Sequence, residues 1–109
     1  MPTEPFQEPL PEILAPAGSR ASFLAALAAG ADAVYCGLKQ FSARMEAKNF
    51  TLEELAGLTR LAHERGTRVM VALNTLVNGG ETADLARLIR QLKAHVGVDA
   101  LICQDLADR

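Results

Sequence analysis

Six residues beginning at Gly30, Gly-Ala-Asp-Ala-Val-Tyr, return at Gly97 as Gly-Val-Asp-Ala-Leu-Ile, sixty-seven positions on. A glycine that ends a helix, followed by a short apolar run, marks the passage from helix to strand. Gly66 provides a third such stop before the apolar run Arg68 to Leu73. The three glycines lie about thirty to forty residues apart, close to the unit length of a strand-helix repeat. The chain therefore repeats one βα unit, and this constrains its fold more than any other feature.

Taken in order, the units are readable from their ends. Glu12 to Ala15 predicts a short strand stopped by Pro16, and Ser19 predicts the N-cap of a helix from Arg20 to Ala29 with Phe23, Leu24, Leu27 and Ala28 inward. Ala33 to Cys36 predicts the second strand. Phe50-Thr51-Leu52-Glu53-Glu54-Leu55 predicts the next helix start: Thr51 caps, Glu54 reaches back to the cap's N–H, and Phe50 and Leu55 form a hydrophobic staple. Arg68 to Leu73, closed by Asn74-Thr75, is apolar enough for a parallel strand covered on both faces. Leu85, Leu88, Ile89, Leu92 and Val96 then mark the inner face of a third helix, and Ala100 to Cys103 a fourth strand running into Gln104-Asp105.

The order βαβαβαβ with right-handed crossovers predicts four adjacent parallel strands in the order 1-2-3-4. Units of this length build a (β/α)8 barrel from about 250 residues, so 109 residues make about half of one. The expected fold class is α/β, a parallel half of a TIM-type barrel with open edges. A doubly wound sheet would need a reversal of strand order that three near-equal units do not show. Residues 1–11, with four of the five prolines, read as an extended arm ahead of the half-barrel at 12–109. Open edges invite pairing, so the expected partner is a second copy or the remaining half of the barrel.

Composition excludes several function classes. Net charge is -2 and the sequence pI about 5.6, so no global field draws the chain to nucleic acid or an anionic membrane. No apolar run reaches the ~20 residues of a membrane helix, and the first residues carry no secretory signal, which makes a cytoplasmic location the expectation. Nineteen alanines and sixteen leucines against five aromatic residues suit close helix packing. The two cysteines, Cys36 and Cys103, match neither a disulfide framework nor a metal motif. They fall on the helix-facing side of strands two apart, too distant to bridge, and read as buried packing. His63 and His95 fall at helix C-termini, where cations complement the helix dipole. No nucleophile or zinc motif of a conventional protease is present.

Barrels keep their chemistry at the C-terminal ends of the strands. If Val69, Val71 and Leu73 lie under the helices, alternation turns Met70, Ala72 and Asn74 to the other face, with Tyr35 and Gln104 beside them. Tyr35, Asn74 and Gln104 are then expected to converge as substrate-orienting groups that hydrogen-bond without changing charge. Lys39 and Arg44, in the loop after the second strand with Phe41 and Phe50, are candidates for holding a carboxylate, a phosphate or a stacked base, Arg44 foremost for its planar fork.

Four stretches together resemble a known family: Glu12 to Gly18; Gly30 to Tyr35 with Phe41, Arg44, Asn49 and Phe50; Ala62-His63 through Asn74-Thr75; and Gly97 to Ile102 with Gln104-Asp105. In order and spacing, from about residue 12 to 105, they resemble the start of the collagenase-like peptidase family of unassigned catalytic type, number thirty-two. The resemblance implies a TIM-type barrel and adds Asn49 to the substrate-binding candidates. It implies a peptidase by label, with members that hydroxylate tRNA uridine, ribosomal RNA cytidine or a quinone ring, so the substrate is a peptide, an RNA or a quinone. It also implies a [4Fe–4S] cluster in the intact protein, held by downstream cysteines that Cys36 and Cys103 do not match, and a chain inactive alone. Leu38 and Lys48 stand where the family usually has glycine.

Overall fold

The structure is a computed structural model that describes residues 11–38, 47, 49–75 and 82–105; residues 74, 75, 82–85 and 103–105 are described by backbone alone. Residues 1–10 of the expected arm at 1–11 lie outside the described residues. Four strands, β1 (Leu14–Pro16), β2 (Ala33–Leu38), β3 (Arg68–Thr75) and β4 (Ala100–Asp105), alternate with helices α1 (Arg20–Ala28), α2 (Leu52–Glu64) and α3 (Thr82–Gln91). All neighbours pair in parallel in the order β1-β2-β3-β4. The chain is an α/β fold with one parallel sheet, as the repeat predicts.

Helices α1 and α2 start, and the three helical units stop, for local reasons. Ser19 and Ser22 form a reciprocal capping box at α1, the arrangement expected at α2. At α2 the Thr51 side chain accepts from the Glu54 N–H at 3.0 Å; the return bond from Glu54 is not formed. Phe50 and Leu55, the staple residues, are both buried in the core. Gly30, Gly66 and Gly97 end the helical units at φ of 81°, 75° and 81°, a left-handed conformation that costs other residues roughly 1–2 kcal/mol. Before Gly97 the third helix widens into a π turn, Leu92–Val96, in which the Gly97 N–H reaches the Leu92 carbonyl at 2.9 Å. Leu92 and Val96 remain buried.

The core lies between the sheet and the helices. Val34, Cys36, Leu38, Val69, Val71 and Leu73 form one buried cluster with Phe23 and Leu27 of α1, Leu55, Leu58 and Ala62 of α2, and Leu88 of α3. Alternation thus places the bulky β3 residues under the helices. The opposite face is open among the described residues: Tyr35 is 44% and Ile102 51% exposed, and Leu14 is exposed as well. The expectation of cover on both faces of β3 is corrected to cover on one. The strands also shift at their ends. β2 runs two residues beyond Cys36 and β3 two beyond Leu73, because Leu38 pairs with Leu73 and Asn74 with Gln104. β1 starts at Leu14 and includes Pro16, tolerated on an edge strand.

Candidate functional site

At the C-terminal ends of the strands, Asn74 of β3 and Gln104 of β4 are direct register partners. The sequence expectation that they share a position holds at the backbone. Tyr35 does not join them. It pairs with Met70, and Met70 with Ala100, so its Cα lies four residues, about 13 Å along the strand, below the Asn74–Gln104 rung. Tyr35 therefore stands apart from that rung, because strand direction and register, not side-chain parity alone, set height on the sheet. Lys39 and Arg44 lie outside the described residues.

Asn49 occupies the same end. Its side-chain amide donates to the Gly37 carbonyl at 2.9 Å and to the Gly18 carbonyl at 3.1 Å. It thereby ties the end of β2 to the turn between β1 and α1. Acceptors twelve and thirty-one residues away leave no local trace in the sequence.

The repeated aspartates, which sequence reasoning passed over as chemistry, organise the opposite end of the sheet. The Ile13 N–H donates to Asp32 Oδ2 at 2.7 Å while the Asp32 N–H donates to the Ile13 carbonyl at 2.9 Å. Asp99 repeats the arrangement with Val69 and adds His63, whose Nε2 lies 2.7 Å from Asp99 Oδ2. Partial burial pushes the Asp99 carboxyl up, but the Val69 N–H, His63 and Arg68 together outweigh it and hold the group below the usual carboxylate range. In the unit between, Arg68 takes the aspartate's place, donating its N–H to the Asp32 carbonyl and its guanidinium to Glu12 at 3.0 Å. His63 and His95 are partly exposed, as expected of residues at helix C-termini, and face Asp99 and Glu53. The Gly-x-Asp recurrence was the signal that could have singled out these carboxylates. This is the N-terminal end, where sheet architectures of this kind invest in stability.

Cys36 is fully buried under the helices, and burial pushes its thiol up to about 12. Cys36 is packed among apolar side chains under the helices, and Cys103 sits on the next-but-one strand, in register with Leu73. These residues do not fit an iron-sulfur cluster. Among the described residues no group of three His, Cys, Asp or Glu side chains is placed to hold a metal ion, and no helix is long and apolar enough to cross a membrane.

A single parallel sheet built from repeated βα units, polar at its C-terminal rim and clipped by aspartates at the other end, defines an α/β protein of the repeating type. The sequence model of Peptidase family U32 matches residues 18–107, and the chain belongs to that family. It is 43% identical over 95 residues to the 23S rRNA 5-hydroxycytidine C2501 synthase of Escherichia coli (strain K12), covering 87% of this chain and 14% of that protein. It is 38% identical over 97 residues to the tRNA hydroxylation protein P of the same organism, covering 87% and 21%. With a collagenase of Porphyromonas gingivalis it shares 34% identity over 97 residues, covering 88% and 23%. The chain thus spans less than a quarter of the length of each of these relatives. The solved structure of the U32 peptidase Mk0906 matches with a TM-score of 0.65 at 15% identity, over 96% of this chain and 45% of that one, a likeness of fold.

Proposed function

We propose that residues 12–109 form the N-terminal half of a TIM-type (β/α)8 barrel, preceded by an extended arm, and that the intact protein hydroxylates a pyrimidine base in RNA. The observation that carries the reading is the 43% identity, over most of the chain, to a protein named for making 5-hydroxycytidine in ribosomal RNA, together with the relative named for tRNA hydroxylation. The half-barrel is supported by the strand order and by a fold match that covers nearly all of this chain against under half of the solved one.

On this reading the Asn74–Gln104 rung is the part of the mouth that orients the base, and Arg44 and Lys39 contact its phosphate. Replacing a ring C–H by C–OH is an oxidation, and the oxygen donor and electron acceptor come from outside this chain. A [4Fe–4S] cluster, where the intact protein has one, is held by other cysteines. The 109 residues alone are inactive.

The test is deletion of the gene, followed by mass analysis of nucleosides from total tRNA and rRNA. We expect a pyrimidine nucleoside to lose one oxygen atom and to regain it on complementation. An unchanged nucleoside profile, with gelatin hydrolysis by the purified intact protein, overturns the reading in favour of peptidase activity.

A further inference from the structure

We propose that Asn49 is a positioning residue, which shapes the mouth of the sheet by extending the β1–β2 ladder with a side-chain rung and does not itself donate to substrate. The ladder's phase carries the argument. The Ala17 N–H donates to the Tyr35 carbonyl at 2.9 Å, the last backbone bond from the β1 side. Two residues further along β2, the Gly37 carbonyl points the same way, since carbonyls alternate along a strand. The β1 strand has ended at Pro16 and the chain has turned into α1, so among the described residues no backbone donor arrives from that side. The Asn49 amide fills that place at 2.9 Å.

The same nitrogen donates to the Gly18 carbonyl at 3.1 Å. A side-chain amide nitrogen has two hydrogens, and two carbonyl acceptors account for both. That pattern also fixes which end of the amide is nitrogen. The bridge is stiff at its base, because Asn49 is followed by Phe50, buried in the core, and by Thr51, which caps α2. The start of α2, the end of β2 and the β1–α1 turn are consequently held at one spacing. The inference rests on the barrel reading only for the choice of the end that receives substrate.

Hydrogen exchange by NMR on the full chain tests it without any substrate, so its outcome is independent of the RNA assignment. In Asn49→Ala, and in Asn49→Asp, which keeps the shape but offers the carbonyls no donor at neutral pH, exchange of the Ala17 amide is expected to rise about tenfold, the scale of a lost hydrogen bond. Amides in the centre of β3, such as Val71, keep their rates. A uniform rise across the sheet, or no change at Ala17, overturns the proposal. Should both variants fail to fold, the wild-type side chain decides: both Asn49 amide protons exchange slowly if the rung exists, and solvent-like exchange of either sinks it.

Discussion

Val69 and Asp99 hold each other through two hydrogen bonds, the Val69 N–H to Asp99 Oδ2 and the Asp99 N–H to the Val69 carbonyl, each 2.7 Å long. Ile13 and Asp32 make the same pair two strands away. The aspartate lends its carboxylate to a donor that parallel pairing would leave unused where a strand begins. Replacing it by alanine is expected to destabilise the fold by about 0.5–1.5 kcal/mol, the net worth of one hydrogen bond, with the larger loss at the part-buried Val69 bond than at the exposed Ile13 one, as read by chemical denaturation of Asp99→Ala and of Asp32→Ala.

The Asp99 clip also has a pH signature. Its carboxyl is held below the usual range in the folded chain, so its stabilisation is complete above the ordinary carboxylate value of about 3.9 and is lost as pH falls through the lowered folded value. Thermal melts of wild type and Asp99→Asn should differ most at neutral pH and draw together as the pH falls through the lowered value of the folded chain. A constant gap across that range would mean that the carboxylate's charge is not what the clip uses.

How much of this was legible in the sequence follows from the range of each interaction. The strand faces were, because Val69, Val71 and Leu73 alternate with smaller or more flexible residues, and burial follows that alternation. The helix stops were, because Gly30, Gly66 and Gly97 encode a backbone conformation in a single residue. Strand ends were not: Leu38 and Asn74 belong to strands only through partners on the neighbouring strand. The π turn left no trace, since widening a helix changes no residue in its apolar stripe. At the site, the shared face of Asn74 and Gln104 was legible from alternation, and the register sets their backbones on one rung. The height of Tyr35 was not, because periodicity assigns a face and says nothing of register. The links of Asn49 to Gly18 and Gly37, and that of His63 to an aspartate thirty-six residues on, depend on the fold being complete.

Two glycines should respond in opposite ways to the same substitution. Gly97 sits at φ 81°, so Gly97→Ala is expected to cost roughly 1–2 kcal/mol of stability. Gly37 has an ordinary strand conformation, and a Cβ there meets nothing within 4 Å. Gly37→Ala should be neutral or stabilising by up to about 1 kcal/mol. Loss of activity by Gly37→Ala in the intact protein, with its melting temperature held, would mark that open space as substrate-facing.

Cys36 should behave as packing. With its thiol pushed up to about 12 and no exposed surface, it should resist alkylation in the folded chain at pH 8 and react when denaturant is added. Cys36→Ala should leave any activity of the intact protein in place, and a loss of activity in a stably folded variant would contradict the packing role.

The open sheet face predicts association. The 109-residue chain alone should sediment above its monomer mass at high concentration, and Ile102→Lys, placing a charge on a residue that is 51% exposed on that face, should shift it toward monomer. A cooperatively folding monomer at every concentration would show that the face needs no cover.

The aspartate clips carry one more consequence. Each reaches only the strand beside it, so a unit that carries one brings its own address, and neither clip refers to the number of units in the chain. A gene segment encoding one unit, copied in tandem or transferred between chains, would arrive with the instructions for its alignment intact. Growth of such a protein by duplication then requires no coordinated change elsewhere, and the Gly-x-Asp-Ala shared by Gly30–Ala33 and Gly97–Ala100 is the mark that such growth would leave.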